Sequence, residues 1–119
     1  MVSFTDQYKN IMTQLSHTLE EIYENSRKDP HKTLFLSVIF QAILDVTKPK
    51  KDNEDSEIQL LRDQANAWFF TSIGVTCENF EVVCDYAGLS PKSVRKFAHH
   101  VINSDNISYV RKKILILLG

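Results

Sequence analysis

The stretch from Phe80 to Val101, FEVVCDYAGLSPKSVRKFAHHV, decides how the rest of the chain is read. Phe80, Val83, Cys84 and Ala87 fall at i, i+3, i+4 and i+7, which predicts a helix over about 79–87 with one apolar stripe. Gly88 follows, where a chain leaving a helix adopts a left-handed conformation that glycine tolerates and other residues resist. Leu89 plugs the turn. Ser90 is placed to cap the next helix, and Pro91 sits at its first position, where a missing N–H is no loss. The spacing predicts that second helix over about 91–102, with Val94, Phe97, Ala98 and Val101 inward. Lys92, Ser93, Arg95, Lys96, His99 and His100 then point elsewhere.

Charge is divided unevenly along the chain. From Gly88 to Gly119, Lys92, Arg95, Lys96, Arg111, Lys112 and Lys113 stand against the single acid Asp105, whereas acids outnumber bases before Gly88. The formal total of −1 therefore conceals a dipolar chain. A positive end that coincides with a surface helix is what attraction to phosphate requires. The side chains of Lys92, Arg95 and Lys96 are expected to project together into water as a ridge. The alternative is an ordinary helical hairpin whose turn only packs the core.

A small residue at Cys84, glycine at 88, and apolar residues at Ala87, Leu89, Val94 and Phe97 make this segment resemble the helix-turn-helix of bacterial and phage regulators. The wider pattern, Ala42-Ile43 with Asp45, Ala67-Trp68-Phe69, Phe80, Val83-Cys84, Gly88-Leu89, Pro91 and Val94-Arg95, is similar to small helical regulators of bacterial and prophage type, including those of intracellular alphaproteobacteria. Ser90 stands where such proteins often carry Asp. The resemblance implies sequence-specific binding of double-stranded DNA as a transcription regulator, with the helix at about 91–102 entering the major groove N-terminus first. Ser90, Lys92, Ser93, Arg95, Lys96 and His99 are then the candidates to touch DNA. Arg95 is the first choice for a base edge because its fork can bond guanine at two atoms, while Lys92 and Lys96 suit phosphates. Arg111, Lys112 and Lys113 are expected to extend the cationic surface.

The 119 residues, 43% of them hydrophobic, suit one compact domain. Three Gly and three Pro leave little material for hairpin turns, so the class expected is all-α, a bundle of about six helices containing the helix-turn-helix. The N-terminus lacks a cationic region followed by an apolar run, and no apolar stretch approaches a membrane span. The protein is expected in the cytoplasm, associated with the nucleoid. Cys77 and Cys84 lie two helical turns apart, too far for a disulfide, and are expected as buried thiols.

Within 1–119 read as a single domain, 1–47 is expected as an N-terminal helical pair that supplies dimer contacts. Tyr8, Ile11, Met12, Leu15, Leu19, Ile22 and Tyr23 make a long amphipathic helix over about 5–26. Asp29-Pro30 breaks it. A second helix at about 31–47 is apolar nearly all round, which argues for burial on more than one side and for a homodimer. Residues 48–56, KPKKDNEDS, read as a charged surface loop, with a basic arm from Lys48, Lys50 and Lys51 as the alternative. The remainder, 57–119, is the helix-turn-helix portion. Its first helix, about 55–70, turns Ile58, Leu61, Ala65, Trp68 and Phe69 inward, and Trp68-Phe69-Phe70 is expected as the central plug of the core. A last helix at about 107–118 carries Ile107, Val110, Ile114, Leu117 and Leu118, with Leu115 and Ile116 widening its apolar face.

No signature of a catalytic site, metal site, cofactor or small-molecule pocket is present. His99-His100 has no nucleophile or acid beside it in sequence. Double-stranded DNA and a second copy of the chain are therefore the partners expected. A phage-type packaging or replication accessory protein, or a protein-binding adaptor without DNA, are the alternatives. Steep salt dependence of duplex binding separates the nucleic-acid readings from the adaptor.

Overall fold

The computed structural model describes residues 19–119, and every described element is helical. Helical residues 19–26 (α1) are followed by α2 (Pro30–Val46), α3 (Ser56–Phe70), α4 (Val75–Tyr86), α5 (Pro91–Ile102) and α6 (Ile107–Leu118). The expected helix over about 5–26 lies outside the described residues up to position 18.

Local chemistry accounts for most of the boundaries. Asp29 caps α2 by accepting from the His31 amide at 3.0 Å, and Pro30 opens the helix. The Thr33 hydroxyl donates to the Ser26 carbonyl at 2.7 Å, which ties the start of α2 to the end of α1. Asp55 caps α3 through the Glu57 amide at 3.1 Å. Between α4 and α5, Gly88 takes φ +76°. Its amide donates to the Asp85 carbonyl and the Leu89 amide to the Cys84 carbonyl, both at 2.9 Å. That pair of bonds is the Schellman arrangement, which closes α4 and leaves the chain free to turn.

Helix α4 begins at Val75, earlier than the apolar spacing from Phe80 predicts. Cys77 is buried and extends the same stripe one turn back, and Gly74, at φ +89°, marks where the preceding link ends. The expected turn over 71–78 is correspondingly shorter.

Helix α2 runs through the middle of the bundle and packs on α3, α4 and α6. Leu36, Ile39, Phe40, Ile43, Leu44 and Val46 are all buried, in line with a helix expected to be covered on more than one side. The core continues through Phe69, Phe80, Val94, Ala98, Val101, Val110 and Ile114. The aromatic plug differs from expectation. Phe69 is fully buried and meets Phe80 edge-on at 5.9 Å, but Phe70 reaches the surface. Trp68 is half-buried; its ring packs edge-on to Phe80 at 4.9 Å and its indole N–H donates to Asn79 Oδ1 at 2.8 Å. Consecutive residues on a helix diverge by about 100°, so three neighbours cannot share one core direction.

Two further expectations are corrected. Leu61, Leu115 and Ile116 are exposed, because the packed stripes of α3 and α6 are narrower than their apolar composition. The loop 48–56 is drawn onto α3 by Arg62, a buried residue that the apolar spacing does not single out. Its guanidinium donates to the carbonyls of Lys48 and Pro49 at 3.1 and 3.3 Å and grips Glu54 with two contacts of 2.8 Å. Cys77 and Cys84 are both buried free thiols. Among the described residues no helix is long and apolar enough to cross a membrane.

Candidate nucleic-acid interface

Helix α5 buries Val94, Ala98 and Val101. At about 100° per residue the opposite side carries Lys92, Lys96, His99 and Asn103 in one row, with Ser93 and His100 on its edge. All six are exposed. No acid lies on this helix. The hydroxyl of Ser90 accepts from the Ser93 amide at 3.4 Å as the helix cap. His99 packs edge-on to the Phe70 ring at 6.5 Å, and its carbonyl accepts from the Asn103 side chain at 2.8 Å.

Arg95 does not stand in this row. It lies on the flank of α5 that faces the end of α3 and the start of α4, and it is half-buried. Its Nε donates to the Phe69 carbonyl at 2.8 Å, and Nη2 reaches the Thr71 carbonyl at 3.5 Å and Cys77 Sγ at 3.4 Å. The guanidinium carbon also sits 4.7 Å from the centre of the Phe80 ring, in the range of a cation–π contact. The expected ridge of Lys92, Arg95 and Lys96 is therefore two lysines and a histidine. Arg95 is spent on the C-terminal carbonyls of α3, which have no basic residue of their own in the last turn.

The same pattern repeats on α6. Arg111 Nη1 donates to the Leu44 carbonyl and, at 2.8 Å, to Thr47 Oγ1, both at the C-terminal end of α2. Lys113 pairs with Glu20. Of the expected trio Arg111, Lys112 and Lys113, only Lys112 is fully exposed. The cationic surface of the C-terminal third is thus smaller than its formal charge.

One cation joins the site that sequence reasoning did not place there. The side chain of Lys32, from the first turn of α2, lies over Gly88, its Cε 3.5 Å from where a Cβ on that glycine would sit. No local signal in the sequence pairs these two positions; only the docking of α2 on α4 does so. Exposed acids at Glu78, Glu81 and Asp85 line α4 itself.

Burial pushes the Cys84 thiol up to about 11. It is therefore protonated at neutral pH and a poor nucleophile. Comparison of the chain with family models, with curated proteins and with solved structures finds no match in any of the three.

Proposed function

We propose that this chain binds double-stranded DNA through the exposed row of α5 and acts as a transcription regulator. The observation that carries the proposal is the outward face of Lys92, Lys96, His99 and Asn103, free of acids, on a helix presented by a glycine turn. Lys92 and Lys96 act as point charges on phosphates flanking the major groove. Ser93, His99 and His100 supply the donors and acceptors that reach base edges. Lys32, beside the turn, adds a phosphate contact at the entry of α5. Arg95 acts from behind: it holds α5 against α3 and so sets the angle at which the row is offered.

A helix of this length spans few base pairs, so selective binding calls for a homodimer reading two half-sites about one helical turn apart. Leu34 and Val38 on α2 and Leu60 and Leu61 on α3 are exposed apolar residues that support a second copy on that side. Sedimentation of the full chain checks this. A strict monomer at micromolar concentration, with and without DNA, removes the dimer.

The decisive experiment is fluorescence anisotropy of a labelled duplex over a range of salt. Binding that weakens steeply with salt is expected. The double variant Lys92→Ala/Lys96→Ala should lower the slope of log affinity against log salt by about 2, the loss of two phosphate contacts. Wild-type protein that leaves the duplex free at low salt overturns the proposal.

A further inference from the structure

The link between α3 and α4 carries an apolar tip for which the core has no use. Ile73 is 80% exposed and Val75 81%, and Phe70, at the end of α3, is exposed as well. These are among the most exposed large apolar side chains of the described residues, and they lie within six positions of one another. Their place in the fold is set by Arg95. Its guanidinium bonds the Phe69 and Thr71 carbonyls on one side of the tip and Cys77 Sγ on the other, so the link is fastened along the flank of α5. Phe70 also meets His99 at 6.5 Å. The apolar tip is therefore the immediate neighbour of the cationic row.

We propose that Ile73, seconded by Val75, is a second DNA contact, packing against the deoxyribose edges of the minor groove next to the major groove entered by α5. This rests on the reading of α5 as a DNA-binding helix and extends it. Charge complementarity selects the occupant: a duplex drawn to Lys92, Lys96 and His99 brings its sugar edges to the neighbouring tip. Aliphatic side chains make apolar contacts of this kind in minor grooves, where they widen the step they touch. An apolar contact adds affinity that salt does not screen, whereas the lysines add affinity that salt removes.

The test is anisotropy with a mixed-sequence duplex of about two helical turns, comparing wild type with Ile73→Ser, Ile73→Ser/Val75→Ser, Ile73→Leu and Lys92→Ala/Lys96→Ala. Ile73→Ser should weaken binding about tenfold by the same factor at low and high salt, leaving the salt slope unchanged. Ile73→Leu should restore most of the affinity. Thermal unfolding of the serine variants should match wild type, since both side chains are exposed. Unaltered affinity in Ile73→Ser, with the lysine variant impaired, overturns the tip contact and leaves the α5 reading standing. A change in sedimentation of the free protein without a change in DNA affinity overturns it too, by making the tip a contact between copies. Absence of duplex binding by wild type removes the α5 reading and the tip contact together.

Discussion

Arg95 Nε and the carbonyl oxygen of Phe69 meet at 2.8 Å, although the two residues belong to helices separated by the whole of α4. The contact closes an otherwise open helix end with a charge, and it brings the guanidinium onto the face of Phe80. It also removes from the protein surface the arginine that the local pattern nominates for a base edge.

Arg95→Ala should therefore act on stability before it acts on DNA. Hydrogen bonds to a charged donor contribute about 1.5–3 kcal/mol, and urea unfolding followed by circular dichroism should show a loss of that order. Arg95→Lys can keep the charge near Phe80 but not the forked bonds, and should recover only part of it. A variant as stable as wild type but defective on one DNA sequence would return Arg95 to the role of base reader.

Arg111 and Thr47 form the matching closure at α2, where the buried hydroxyl accepts from the guanidinium and donates to the Ile43 carbonyl at 2.6 Å. Arg111→Ala and Thr47→Val should be strongly non-additive, with a coupling of about 0.5–3 kcal/mol in a double-mutant cycle of unfolding free energies. Additive losses would mean that the two groups act independently.

The Glu54–Arg62 clasp predicts a specific acid sensitivity. Its hydrogen bonds to Arg62 hold the Glu54 carboxyl down at about 2, from an ordinary 4.5. A carboxyl lowered in the folded state contributes stability that is present above its unfolded value and lost as pH falls towards the folded one. The loop 48–56 should thus loosen between about pH 4.5 and 2. Stability measured across that window should fall more in wild type than in Glu54→Gln, which has no carboxyl to protonate. Parallel curves for the two proteins would count against the clasp.

Phe69 and Ile73 should behave as opposites although both are large and apolar. Phe69 has no solvent exposure, so Phe69→Ala should cost about 3–5 kcal/mol through lost burial and the cavity left behind. Ile73→Ser should leave the melting temperature close to wild type. A large stability loss at Ile73 would place its side chain in the core.

Cys84 should resist thiol reagents in the native protein, because burial raises its pKa to about 11 and closes access. Its labelling rate should follow global unfolding and rise in step with urea. Rapid labelling without denaturant would show that the α4 face opens on its own.

The all-helical class, the cap residues Asp29, Asp55 and Ser90 and the Schellman turn at Gly88 were all legible in the sequence. Each depends on neighbours within a turn or two, and the 3.6-residue period shows directly which of Phe80, Val83, Val94 and Ala98 turn inward. Tertiary structure alone decided what the flanking long side chains do. Arg95 sits at the border between the buried and open sides of α5, where a flexible stem reaches either water or a neighbouring helix. The bare carbonyls of Phe69 and Thr71, supplied from far away in the chain, settled the choice. Arg111 was drawn to Leu44 and Thr47, and Arg62 to Glu54, for the same reason. The period of a helix sets the direction of each Cβ, but the end of an arginine goes where distant acceptors need a charge, and that is a property of packing.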